Sequence, residues 1–167
     1  LDPRQVSRAV DLLRRSRREV CMGQGSSMVL SEEAWTLFST VSPKFLFVPD
    51  SHLQMNTLAL MDPDELVLFF SYSGSTRDFQ DLLEVARQRQ VKVVLVSRFP
   101  KSPGGQLADV VLQCGADEGP LQAGSVNARM AQLFVLDVLF QEFCMRAPEE
   151  TEQSREQIAE AVARKHL

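Results

Sequence analysis

The run Leu66-Val67-Leu68-Phe69-Phe70 is apolar at every position, and Ser71-Tyr72-Ser73-Gly74-Ser75-Thr76 follows it without a break. Apolar residues then recur at Phe79, Leu82, Leu83 and Ala86, which is helical spacing. A strand buried on both faces and followed at once by a helix constrains the fold more than any other stretch, because such strands belong to parallel sheets covered by helices. Four serine and threonine hydroxyls and one glycine therefore sit where a strand ends and a helix begins, with the helix's free N–H groups pointing into the same space. Such a place suits a phosphate. The glycine lets backbone approach an anion, the helix start carries partial positive charge, and Ser71, Ser73 and Thr76 can donate hydrogen bonds without adding net charge. Capping of the helix after Thr76 would need one hydroxyl, not four.

The same strand, small-residue loop, helix pattern occurs earlier. Asp2-Pro3 is a helix start, and Val6, Val10 and Leu13 mark its apolar stripe. The basic run Arg14, Arg15, Arg17 and Arg18 reads as a solvated helix end rather than a contact surface. Glu19-Val20-Cys21-Met22 is a strand, ended by Gly23-Gln24-Gly25-Ser26-Ser27 before a helix through Ala34 and Leu37. Lys44 to Val48 is a third strand, closed by Pro49, with Asp50 or Ser51 capping a helix to about Leu60. Asp62-Pro63-Asp64 turns the chain into the central strand. After a helix from about Arg77 to Arg89, Val91 to Val96 is a β-branched buried strand. Ser102-Pro103 opens a short helix to Ala108, and Val110-Val111-Leu112 is the fifth strand.

Cys114 to Gly124 holds three glycines and a proline and reads as a loop. Val126 to Met145 is apolar on nearly every face, as expected of a helix buried on several sides or lying in a subunit contact. From Pro148 the chain turns polar, so residues 1–147 read as one domain and 148–167 as a polar C-terminal helix or tail. Five short strands alternating with helices predict an α/β fold, a three-layer αβα sandwich with a five-stranded parallel sheet. Both small-residue loops fall at the carboxyl edge of that sheet, where such folds bind ligands.

At 167 residues with 44% apolar content, the chain can bury one core and leaves little room for a second. Its formal net charge of -4 argues against a nucleic-acid-binding face on this segment. Cys21, Cys114 and Cys144 lie in or beside apolar runs without metal-ligand spacing and read as reduced, buried thiols of a cytoplasmic protein. No apolar run is long enough to span a bilayer. Gly23-x-Gly25 invites a dinucleotide reading, but Met28 stands at the third glycine position, and neither loop carries the lysine of the nucleotide-hydrolase motif. The remaining candidate is a small phosphorylated, hydroxyl-bearing molecule, with no cofactor and no metal.

Together, Gly23-Gln24-Gly25-Ser26-Ser27 and Ser71-Tyr72-Ser73-Gly74-Ser75-Thr76 resemble the loops of the sugar isomerase (SIS) phosphosugar-binding domain, over about Asp2 to Met145. Asp50-Ser51-His52, Asp62-Pro63-Asp64, Ser102-Pro103 followed by Leu107-Ala108-Asp109, and Ala128-Arg129-Met130-Ala131-Gln132-Leu133 resemble the effector domain of RpiR-type bacterial transcription regulators. The resemblance implies that Ser71, Ser73 and Thr76 hold a phosphate with the amides of Gly74 and Ser75. It implies that Ser26 and Ser27 reach the sugar end or a phosphate oxygen. It further implies pairing into a homodimer or higher homo-oligomer through helices, and DNA contact only through a helix-turn-helix domain upstream. The chain opens Leu1-Asp2-Pro3 without methionine, which fits an excised piece, and the basic first helix is where a linker from such a domain would arrive.

Members of this family that isomerise sugars commonly place a glutamate at the start of the last long helix, to move a proton between adjacent carbons. Here Gly124-Ser125-Val126-Asn127-Ala128-Arg129 offers no acid. Asp117 and Glu118 in the glycine-rich loop and His52 at a helix start are the nearest candidates, and His52 reads as a capping or packing residue. Glu118 is the acid of choice for a loop that folds over a ligand. The expectation is a phosphosugar-sensing domain without catalytic residues; a small aldose–ketose isomerase, or a dimerisation module with a vestigial pocket, are the alternatives.

Overall fold

The computed structural model describes residues 1–115 and 125–163. Helix α1 (Pro3–Arg15) leads into β1 (Glu19–Gly23), a 3-10 turn (Gly25–Ser27) and α2 (Met28–Ser39), followed by β2 (Phe45–Phe47) and α3 (Ser51–Ala59). Then come β3 (Leu66–Phe70), α4 (Arg77–Gln88), β4 (Lys92–Ser97), α5 (Pro103–Leu107) and β5 (Val110–Gln113). Helices α6 (Val126–Met145) and α7 (Pro148–Ala163) follow. All strand pairs are parallel and the order is β2-β1-β3-β4-β5, so the expected three-layer α/β sandwich is the fold. The connections leave β1 toward β2 on one side and reach β3 on the other. The crevice between β1 and β3 is therefore the topological switch point.

Alternation along the strands divides the interior into two cores. Cys21, Leu66, Leu68, Phe70, Val94 and Val96 pack with α1, α2 and α6. Val20, Met22, Val67, Phe69, Val93 and Leu95 pack with α3 and α4. In the first core Phe38 of α2 stacks on Phe45, with ring centroids 4.3 Å apart, and meets Phe140 and Phe143 of α6 edge-on at 5.3 Å. Offset and edge-on aromatic contacts of this kind tie α2 and α6 to the edge strand.

Three expectations change. Within the chain α6 is not buried on several sides, which leaves the subunit-contact alternative untested: residues such as Gln132, Leu136, Leu139 and Phe143 are buried, while Val126, Met130, Phe134 and Met145 lie 61–65% exposed. The arginine run is a solvated helix end only at exposed Arg15: Arg14 pairs with Glu150, Arg17 with Asp62, Asp64 and Glu65, and Arg18 with Glu65. The helix stops at Arg15, which leaves Arg17 and Arg18 to reach the turn before β3. His52 neither caps nor packs, because the cap of α3 is Asp50, which accepts from the Leu53 amide at 2.9 Å, and His52 is exposed. The three cysteines are free and buried as expected. Among the described residues no helix is long and apolar enough to cross a membrane.

Candidate functional site

A cavity of about 290 Å³ opens between the β1–α2 and β3–α4 loops, at the switch point. It brings together Ser26 and Ser27 from one loop with Ser71, Ser73 and Thr76 from the other, over a floor formed by the ends of β3 at Phe69 and Phe70. Glycine shapes both loops. Gly25 and Gly74 have φ of 55° and 62°, the left-handed region that side chains disfavour. At Gly74 a Cβ would also run into the Ser102 side chain, while the Gly74 carbonyl accepts the Gly104 amide at 2.9 Å. The second loop is thus held down on the loop that starts α5.

The hydroxyls are prepared to donate. The amide of Gly74 donates to Ser71 Oγ at 3.2 Å and that of Ser75 to Ser73 Oγ at 3.3 Å. A hydroxyl that accepts there keeps its own proton for another acceptor. Ser71 is buried and Ser73 half-buried, so an anion in the cavity would meet donors already oriented and partly desolvated. The hydroxyl of Ser75 turns back to the Ser73 carbonyl at 3.0 Å, and neither Gly74 nor Ser75 lines this cavity. Glu118 and Asp117 lie outside the described residues.

Helix starts separate this place from the rest of the carboxyl edge. Asp50, Ser102 and Ser125 each accept a backbone amide and so cap α3, α5 and α6. Ser27 and Thr76 occupy the cap positions of α2 and α4 without a side-chain cap bond. The first-turn amides of α4 keep unmet hydrogen-bonding capacity and dipole charge, whereas α2 continues the 3-10 turn, whose carbonyl at Gly25 already accepts the Met28 amide. Capping was one reading of Thr76 in the sequence, and the geometry removes it. Among the described residues no charged side chain lines the cavity. Among the described residues no group of three or more His, Cys, Asp or Glu could hold a metal ion.

Sequence reasoning passed over Gln24 and Tyr72, which also line the cavity, although both stand inside the loops it singled out. It also missed Gln54. That side chain is wholly buried on α3 and donates to the carbonyl of Gly23 at 3.0 Å and of Val48 at 2.8 Å, so it ties the first loop to the end of β2. The only local sign was its helical spacing from buried Leu58, which marks an inward position without saying what it holds.

The geometry matches a known family. The SIS domain model matches residues 12–142, and the chain belongs to the SIS domain family. Among curated proteins the chain is 28% identical over 141 residues to the uncharacterised HTH-type transcriptional regulator YbbH of Bacillus subtilis, covering 84% of this chain and 50% of that protein. It is 27% identical over 136 residues to the HTH-type transcriptional regulator RpiR of Escherichia coli K12, covering 81% and 46%. The chain thus spans about half the length of these relatives. Among solved structures, Vibrio vulnificus NanR complexed with ManNAc-6P superposes with a TM-score of 0.90 at 25% identity, over 97% of this chain and 61% of that one.

Proposed function

We propose that this chain is the ligand-sensing domain of an RpiR-type transcription regulator, which binds a sugar phosphate at the switch-point cavity and passes that occupancy to an attached DNA-reading domain. The observation that carries the ligand class is the pair of helix starts, α2 and α4, left without side-chain caps around a cavity that the described residues line with hydroxyls and no charge. Such a cavity offers a phosphate dipoles and donors, and offers the rest of a sugar hydroxyl partners. Support for a regulator comes from relatives named as HTH-type transcriptional regulators and from a structural neighbour that carries ManNAc-6P. In this reading Ser71, Ser73 and Thr76 hold the phosphate, Ser26 and Ser27 meet the sugar, and the protein works in the cytoplasm without an active-site base. The exposed apolar side of α6 is the face through which two copies pair. Ligand shifts the regulator only by the difference in its affinity between two arrangements of that pair.

Phosphorus NMR of the chain with aldose and ketose phosphates tests both halves of this reading. A bound ligand shifts or broadens its phosphate resonance with no new species over hours, whereas growth of a partner sugar would mean an isomerase. The double variant Ser71→Ala, Ser73→Ala removes two donors to a charged ligand, each worth roughly 1.5–3 kcal/mol. Unchanged affinity in that variant would remove the assigned site.

A further inference from the structure

The loop that carries the hydroxyls is fastened from behind. Ser97 ends β4 and is wholly buried, so it acts on a ligand only through what it holds. Its hydroxyl donates to the Tyr72 carbonyl at 3.1 Å and accepts the Phe99 amide at 3.3 Å, which commits its one proton to the Ser71 to Thr76 loop. We propose that Ser97 is a positioning residue for the ligand's phosphate, aiming that loop through the Tyr72 carbonyl. This inference rests on the phosphosugar reading above and deepens it.

Strand β3 lies between β1 and β4, and the cavity opens on its β1 side. Tyr72 stands between Ser71 and Ser73, which both line that cavity. Its carbonyl is drawn the other way, toward the end of β4, where the Ser97 hydroxyl and the Arg98 amide, the latter at 3.0 Å, both donate to it. Among the described residues no peptide bond is cis. A planar trans peptide sends its N–H opposite to its carbonyl, so the amide of Ser73 is turned toward β1 and the cavity.

Two further ties fasten the loop to the same support. The Ser71 amide donates to the Val96 carbonyl at 3.1 Å, and the Gly74 carbonyl accepts the Gly104 amide at 2.9 Å. Ser97 holds the stretch between these two ties, and a Cβ on Gly74 would already lie 3.3 Å from its Oγ. The residue type points the same way. Val93, Val94, Leu95 and Val96 fill the buried positions of β4 with apolar side chains, and another such residue at 97 would leave no polar group to satisfy. A hydroxyl there serves the loop it bonds. A loop already set in place has less freedom to lose when an anion arrives.

Titration of the chain with glucose 6-phosphate, fructose 6-phosphate and ribose 5-phosphate tests this, at a temperature where each variant is folded. In Ser97→Ala the affinity for every one of the three that binds the wild type should fall by the same factor, about three- to tenfold, the range of one hydrogen bond. The factor is shared because the phosphate is the part these ligands have in common. In the proton–nitrogen NMR spectrum of the free variant the Ser73 amide should be displaced. Ser97→Cys, close in size with a weak donor, takes the place of alanine if that variant does not fold. Asp50→Ala, which removes a cap bond in a different loop, serves as the control and should leave the affinities within about twofold. The inference is overturned if folded Ser97→Ala unfolds at lower temperature yet binds as the wild type does, or if its losses differ from one sugar to the next. Either result would sink this inference alone. Failure of all three to bind the wild-type chain would sink the phosphosugar reading with it.

Discussion

Where the strands begin, Glu19 is wholly buried, with Lys44 Nζ 2.9 Å from its carboxylate, and the same ammonium donates to the Ser16 carbonyl at 3.0 Å. At the entry to the neighbouring strand, Glu65 is 1% exposed and collects Arg17 and Arg18, while Arg17 also reaches Asp62 and Asp64. Where the strands end, the described residues put no charged side chain in the switch-point cavity, and two helix starts there lack side-chain caps. One end of the sheet answers its charges from within the chain; the other leaves donors open. The difference shows that unmet polar capacity in this protein is local and placed, since the same sequence caps α3, α5 and α6 at that very edge.

The comparison breaks most sharply at Thr76. Thr76→Asp gives α4 a good cap and a favourable charge at its start, and should raise stability by about 0.5–1 kcal/mol. The same carboxylate occupies the amides and repels a phosphate, so sugar-phosphate affinity should fall by about a hundredfold or more. Urea unfolding and calorimetry read the two effects separately. A variant that gains stability and keeps its ligand would show that the open helix start is not used for binding.

At the opposite edge the signs reverse. Glu65→Ala deletes the acceptor shared by Arg17, Arg18 and the Asp62 amide, which donates to Glu65 at 2.9 Å. The arginines reach solvent, so the cost is smaller than for a dry pair, about 2 kcal/mol by urea unfolding. Phosphosugar affinity of the folded protein should not move.

Acidity gives a finer separation at that edge. Burial pushes the Glu19 carboxyl up to about 7, against the pull of the Ser16 hydroxyl and Lys44. Its folded value lies above its unfolded one, so its contribution is largest below the ordinary carboxylate range and is lost as pH rises toward 7. For Glu65 burial acts upward, but the bonds from Arg18 and the Asp62 amide with the charges of Arg18 and Arg17 more than offset it, and the carboxyl is held low. Its contribution is lost only in acid. Between pH 5 and 7 the wild type should therefore lose at most about 1.4 kcal/mol of stability per unit, a slope that Glu19→Gln removes. Parallel stability profiles for the two proteins would mean that Glu19 is ionised throughout.

The fold was legible in the sequence because its signals are local and redundant. Each strand carries a short apolar run, and each following helix starts at a small or capping residue such as Asp50 or Ser102. The Ser71 to Thr76 loop was legible for the same reason. What a chain cannot display is which donors remain unused once it has folded. Thr76 and Asp50 look alike as cap candidates, yet only Asp50 caps. The arginine run looked solvated because its partners, Asp62, Asp64 and Glu65, lie more than forty positions away. Gln54 was missed likewise, since its meaning depends on the neighbouring loop whose Gly23 carbonyl it holds.

The smallest expected effects come from the two kinds of helix start themselves. Asp50→Ala removes a cap bond and should cost about 1 kcal/mol, with sugar-phosphate affinity within about twofold of wild type. Ser27→Ala removes a hydroxyl at a cap position where no cap bond exists, so stability should change by less than about 0.5 kcal/mol. Its effect belongs to the ligand instead, a loss of about tenfold if the hydroxyl donates to it. Thermal unfolding with and without a sugar phosphate measures both variants in one experiment, because bound ligand raises the transition in proportion to its affinity. If Ser27→Ala destabilised the free chain as much as Asp50→Ala, the two classes of helix start would be one, and the case for an open site at the switch point would lose its footing.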